Sequence, residues 1–227
     1  DVLDPGAGAA VALEYAGADY VDVLRVSGND SFPEKNSPFA MPYLVAGKRV
    51  IAQTANILLY LGPRLGLAPK GETGRLWAHQ LQLTLADWLV EIHDTHHPIG
   101  SGLYYEEQRR EAKRRTADFL AARLPKYLDY FEGVLERAGR PYLLGKTLSY
   151  PDLSLFQIVA GLKFAFPNAM NRLDKRHART IAVHRRVAAH PRLAAYFTSG
   201  RRIPFNQQGL FRHYPELDQI RNRSKKT

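Results

Sequence analysis

Gln53 and Thr54 stand directly after a hairpin pattern and directly before the apolar run ANILLYL, so a helix is expected to open on this pair. A helix opening can do chemistry with backbone alone. Its first N–H groups have no partner inside the helix and its dipole places partial positive charge there, which stabilises a carboxylate or phosphate. The alternative is an ordinary capped start, with Thr54 Oγ accepting from the backbone N–H of Asn56 or Ile57. A second group, Glu91, His93, Asp94, His96 and His97, gathers at the end of a later helical pattern. His93 and His97 have the i, i+4 spacing of metal ligands. No third ligand is evident from that spacing, and imidazoles at a helix C-terminus are favoured by the dipole and can cap its carbonyls, so no metal is expected. Zero cysteines remove a disulfide scaffold, a thiolate metal site and a cysteine nucleophile.

The 227 residues can form one large domain or two modest ones, each with its own core. No apolar run approaches the ~18 residues of a membrane-spanning helix, and the composition fits a soluble, cytoplasmic protein. No signal peptide is visible. The chain opens on Asp1 without Met, so a processed or trimmed start is expected. The net charge of +10 is unevenly placed: residues 1–70 hold 6 basic and 7 acidic side chains, whereas from Asn171 onward 14 Lys and Arg face 3 acidic residues. Such a stripe can mark nucleic acid or acidic lipid. Without interleaved aromatic residues it reads as a solvated helix face with a basic tail, and a nucleic-acid partner is not expected.

The elements that must position these groups change character once. GAAVALEYAG, residues 8 to 17, predicts a short helix stopped by Gly17, and DYVDVLRV, Asp19 to Val26, alternates like a strand. A polar loop follows, then strands around Tyr43 to Ala46 and Arg49 to Ile51, and a helix from Thr54 to Leu61 that stops at Gly62–Pro63. Beyond about Gly74 only helical spacing is found: residues 76 to 97, a long segment from Glu106 to Arg137 with Pro125 as a break or kink, and a helix opened by a capping box of Ser149 and Asp152 with Pro151 in its first turn. Two more helices are expected, Thr180 to Ala189 and Leu193 to Thr198. Phe156, Phe164 and Phe166 read as core.

The order Met41–Pro42, strand pair, Gln53–Thr54 resembles the glutathione-binding half of cytosolic glutathione transferases, where a cis-proline precedes two strands and an acidic or amide residue plus Ser/Thr opens the next helix. The resemblance runs from about Ala9 to Leu217. It implies an α/β thioredoxin-like N-terminal domain followed by an all-α helical-bundle C-terminal domain: residues 1–65 glutathione-binding, 66–73 a linker, 74–227 helical with a basic tail. It also implies that Gln53 and Thr54 hold the γ-glutamyl carboxylate, and that the backbone of Met41, beside a cis Pro42, pairs with the cysteinyl part as a short added strand. Asp87 would reach the γ-glutamyl amino group across a two-fold homodimer interface; its rival reading is a helix-surface carboxylate paired with a base. Lys35 would meet the glycyl carboxylate, or stand solvated in its loop. Tyr104 and Tyr105 would line an electrophile pocket, or pack in the core.

In this fold the first strand is central and carries the catalytic group at its end. Here only DVLDPGAG precedes the first helix, without Tyr, Ser or Cys, and the Gly-Arg pair of many relatives has no counterpart. Either the first strand and its hydroxyl are missing from the chain as given, or the protein has lost the usual activating residue; the first is expected, since a sheet without its central strand leaves an edge unpaired. The chemistry makes this gap matter. A thiol of pKa ~8.5 needs about 2.7 kcal/mol of differential stabilisation to drop ~2 units, and a helix start supplies only ~0.3–1 kcal/mol. A hydrogen-bond donor to the sulfur, worth ~1.5–3 kcal/mol, is required, and the sequence does not identify it. The expected function is conjugation of glutathione thiolate to a small hydrophobic electrophile, a detoxification chemistry with glutathione as co-substrate and no metal. The alternative is a non-catalytic transferase-like module for protein assembly, suited to the basic surface.

Overall fold

The computed structural model describes residues 7–28, 31–34 and 36–219. Helix α1 (Ala7–Ala16) ends where expected, with Gly17 left-handed at φ 65° and the Ala18 N–H bonded to Leu13 O. The strand expected over Asp19 to Val26 is not formed: residues 23–27 are a short exposed helix, α2 (Val23–Ser27). Local chemistry decided this. Asp22 Oδ1 accepts from Arg25 N–H at 3.3 Å as an N-cap, and Gly28 closes the turn in the left-handed region. Alternating Val and Leu favour a strand only where a ladder partner exists, and among the described residues none pairs with this segment.

The sheet is one antiparallel pair, β1 (Tyr43–Ala46) and β2 (Arg49–Ala52), joined through a left-handed Gly47 and registered Tyr43 to Ala52. It packs on α3 (Thr54–Arg64). Helix α3 runs through Pro63 rather than stopping at Gly62. The bond that Pro63 cannot make is to the carbonyl of Leu59, an exposed residue, so water can replace the lost donor. Gly62 is there for packing: a Cβ would come within 2.7 Å of the Tyr150 ring. Ala9 and Leu13 of α1 interlock with Ile57 and Leu61 of α3 in a small core of their own.

Helix α4 (Glu72–His93) buries Ala78, Leu81, Leu85, Trp88 and Ile92 at three- and four-residue steps, with Trp88 stacked on Tyr127 at 5.0 Å. After a single 3₁₀ turn (Tyr105–Glu107), α5 (Arg109–Asp118) passes through a widened π turn (Phe119–Arg123) into α6 (Leu124–Ala138). The anticipated break at Pro125 is thus a widened turn that makes room for the proline ring near the carbonyl of Ala121, four residues earlier. Arg123 at this turn grips Glu91 of α4 with two nitrogens, at 2.6 and 2.8 Å, and Tyr127 adds a third bond at 2.9 Å. These contacts, Arg123 first, hold the Glu91 carboxyl below its ordinary pKa.

At the centre lies α7 (Tyr150–Ala165), buried along most of its length and packed on α1, α4 and α9 (Ala178–Ala188). Its capping box is as expected: Ser149 N–H and Oγ both donate to Asp152 Oδ2, at 2.9 and 2.5 Å. Asp152 Oδ1 also accepts from Leu143 N–H at 2.8 Å. Burial pushes the Asp152 carboxyl up to about 6 against these three donors. Helix α8 (Pro167–Leu173), which the sequence pattern did not separate from its neighbours, and α10 (Pro191–Thr198) complete the bundle. A non-helical segment, 199–219, then returns across α7 and α4, with the Phe211 ring seated over Gly161.

Candidate functional site

The helix predicted to open on Gln53–Thr54 does so, but Gln53 rather than Thr54 is the N-cap. Gln53 O receives the first helical bond from Ile57 N–H at 2.9 Å, and the Gln53 side chain makes no capping bond of its own. Gln53 holds φ 70° and ψ 121°, a region that costs a non-glycine residue about 1–3 kcal/mol. Its side chain is exposed. Met41–Pro42, the residue pair leading into β1, has a cis peptide bond.

A cavity of about 110 Å³ opens against this helix start. Its walls are Gly8 of α1, Thr54 and Ala55 of α3, Gln82, Leu85, Ala86 and Leu89 of α4, Ser154, Gln157 and Ile158 of α7, and residues 203–206 and 209–211 of the returning segment, Phe205, Asn206 and Phe211 among them. Close approach of α1, α3 and α7 depends on Gly8, whose Cβ would stand 3.3 Å from Thr54 Cγ2 and 3.9 Å from Ser154 Oγ. The lining is apolar with two buried polar atoms that have no hydrogen-bond partner among the described residues, Gln82 Oε1 and Ser154 Oγ. An apolar pocket with a few convergent polar groups is what small-molecule sites look like. Gln157 Oε1 is held by Arg202 at 3.2 Å, whose guanidinium lies over the Phe197 ring at 4.3 Å.

The sequence-derived candidates fall in different places. Thr54 lines the cavity, and Gln53 adjoins it at the helix start. Met41 and Pro42 are half-buried at the foot of β1 and do not line the cavity. Asp87 is exposed on α4, next to cavity-lining Ala86 but on the opposite face, and no ion-pair partner was found for it among the described residues. Lys35 lies outside the described residues. Tyr104 points into solvent, while Tyr105 is buried, donating to Glu216 at 3.0 Å and stacked on Tyr214 at 3.7 Å. Neither tyrosine lines the cavity. Burial and the Glu216 carboxylate push the Tyr105 hydroxyl pKa up, so it is a neutral structural donor. Gln82, Ser154, Gln157 and Asn206 carried no signal in the sequence. Much of the described basic stripe is paired, Arg176 with Asp129 at 3.1 Å and Arg179 with Glu132 and Glu136 at 3.4 and 3.3 Å.

A small α/β unit whose third helix opens on a cavity walled by an all-helical bundle is the layout of the glutathione transferase fold. Residues 93–200 match the family model of the glutathione S-transferase C-terminal domain. The chain is 25% identical over 164 residues to a glutathione S-transferase of Plasmodium yoelii yoelii, covering 69% of this chain and 72% of that protein. It is 24% identical over 172 residues to glutathione S-transferase 1 of Ascaris suum, covering 75% and 81%. Among solved structures, prostaglandin synthase D of Nilaparvata lugens superposes with a TM-score of 0.68 at 19% identity, over 88% of this chain and 94% of that one. The glutathione S-transferase from Ascaris lumbricoides gives 0.65 at 20% identity, over 90% and 96%. The chain thus has the glutathione transferase fold.

Proposed function

We propose that the protein is a glutathione transferase that joins the glutathione thiolate to a small hydrophobic electrophile. The observation that carries this reading is the start of α3, strained at Gln53, forming the wall of an apolar cavity through Thr54 and Ala55. Strain persists where the surroundings over-determine it, often at binding sites. The γ-glutamyl carboxylate sits on this helix start, the Met41 backbone pairs with the cysteinyl unit, Lys35 takes the glycyl carboxylate, and the electrophile enters the cavity between the α/β unit (residues 1–65) and the helices after the 66–73 connection.

The working unit in this reading is a cytoplasmic homodimer. Helix α4 supports it with an outward stripe: Leu76, Leu83 and Val90, seven residues apart, are 66, 47 and 60% exposed, and Asp87 lies on the same face. An apolar seam at heptad spacing is the pattern of helix pairing about a two-fold axis. Its burial would bring Asp87 to the partner's glutathione.

Calorimetric titration of glutathione into the wild type and a Gln53→Ala variant, followed by turnover with a chloronitrobenzene acceptor, tests the proposal. Saturable binding that weakens in the variant, with conjugation by the wild type, is expected. Absence of binding up to millimolar glutathione would overturn it in favour of the non-catalytic assembly module, with the search for a partner moving to the basic face of the helical bundle.

A further inference from the structure

The last turn of α4 and the turn that follows bring His93, His96 and His97 onto one side of the chain, at i, i+3 and i+4. Their ring centres are 5.3, 5.0 and 4.9 Å apart, and one nitrogen from each lies within 4.8 Å of the other two. His96 and His97 are buried, at 1 and 7% exposure, while the His93 side chain is 27% exposed and opens the cluster to solvent. The His96 ring can be assigned. Thr95 Oγ1 gives its single proton to Ile92 O at 2.7 Å, so toward His96 Nδ1, at 3.4 Å, it can only accept. Nδ1 therefore carries the proton and Nε2 the lone pair. That lone pair is buried and meets no donor among the described residues. Gln108 packs beside the neighbouring ring, its Nε2 3.1 Å from His97 Nδ1 while donating to the carbonyls of Gly100 and Leu103, both at 3.1 Å, and its Oε1 accepting from Ile99 N–H at 3.0 Å.

We propose that His93, His96 and His97 form a binding site for a late first-row divalent metal ion of the Zn²⁺ type. Neutral imidazoles suit such ions, and three of them leave a fourth position for water on the open His93 side. Metal–nitrogen bonds of about 2.0–2.1 Å in a tetrahedral site put ring centres about 5.2 Å apart, the spacing already present. Closing the site then requires the rings to turn their nitrogens inward while their centres stay in place. His96 is the third ligand that the His93–His97 spacing lacked. The nearby Arg212 guanidinium opposes a cation, but it is directed to the carbonyls of Gly209 and Gln208, at 3.0 and 3.3 Å. Asp94, 3.6 Å from His93 Nδ1, supplies the opposite charge.

Chelator-treated full-length protein, titrated with Zn²⁺ by calorimetry and with Co²⁺ by visible absorption, tests the site without reference to glutathione. One equivalent per chain is expected, with the visible bands of four-coordinate Co²⁺ and a higher melting temperature with Zn²⁺. His93→Ala, at a partly exposed position that leaves the fold intact, should weaken binding at least a hundredfold. His96→Gln should abolish the Co²⁺ bands, and His79→Ala should leave both readouts unchanged. No binding up to millimolar Zn²⁺ would overturn the proposal, as would an affinity unaltered by His93→Ala and His96→Gln.

Discussion

Gly161 is the position where one added methyl group tests the packing that closes the cavity. A Cβ there would stand 2.3 to 2.4 Å from three atoms of the Phe211 ring, so the ring must retreat by about 1 Å to reach ordinary contact. Phe211 is buried and meets Phe205 edge-on at 5.6 Å. Unseating such a ring forfeits much of the ~1.5–3 kcal/mol that burying a phenylalanine contributes. Against this, replacing a helical glycine by alanine gains about 1 kcal/mol. The net expectation for Gly161→Ala is a loss of about 0.5–2 kcal/mol and of ~1–8 °C in Tm, with faster amide exchange over residues 203–217. Two further variants isolate the cause. Gly133→Ala, in α6, meets only the flexible end of Arg137 at 3.2 Å and should stabilise the protein by up to ~1 kcal/mol. In a Phe211→Ala background the ring is gone, so Gly161→Ala should become stabilising, a reversal of sign that a double-mutant cycle reads directly. A Gly161→Ala protein as stable as wild type, with unchanged exchange in the returning segment, would refute the seating of Phe211 and with it this wall of the cavity.

Leu83→Glu, in the exposed α4 stripe, is expected to shift a dimer toward monomer by at least ~100-fold in Kd, since two-fold symmetry counts each lost side chain twice; sedimentation equilibrium measures it, and an unchanged Kd would remove α4 from the interface. Ser154→Ala should stabilise the ligand-free protein by about 1 kcal/mol, because it deletes a buried hydroxyl with no described partner and improves helix propensity. A loss of stability on thermal melting would show instead that the hydroxyl is satisfied in the folded state. His184, half-buried and facing Lys163, has its pKa pushed down to about 4 from 6.5, desolvation first. A base depressed in the folded state contributes stability that is complete above about 6.5 and is lost as pH falls through about 4. The stability advantage of wild type over His184→Gln should therefore shrink by up to about 3 kcal/mol between pH 7 and pH 4 in urea unfolding, and a constant difference would contradict the burial of a neutral ring.

What could be read in advance was set by contacts short in sequence. The Ser149–Asp152 box, the Gly17 stop, the hairpin and the opening of α3 each depend on residues within nine positions of one another, and each is found where the pattern places it. Asp19 to Val26 failed for the complementary reason. Its alternation is a statement about a neighbouring strand, and without that neighbour the local cap of Asp22 and the left-handed Gly28 prevail.

The candidate sites divide along the same line. Gln53–Thr54 was legible because a helix start is local, and the His93–His97 pair was legible because i, i+4 is local, although no metal was expected there. His96 was not, since its role depends on the turn after α4, and Ser154, Gln82 and Asn206 meet only because α7, α4 and the returning segment converge. The segment from 203 to 217 makes the point physically. It lays Phe211 on Gly161 at one end and stacks Tyr214 on Tyr105 at the other, 6.4 Å from His96. One stretch of irregular chain thus walls the cavity and roofs the histidines, and its placement is decided by the bare patch at Gly161 and by the ring face of Tyr105. Neither feature has a signature in the residues of the segment itself, so the part of the molecule that completes both candidate sites is the part that only the folded packing defines.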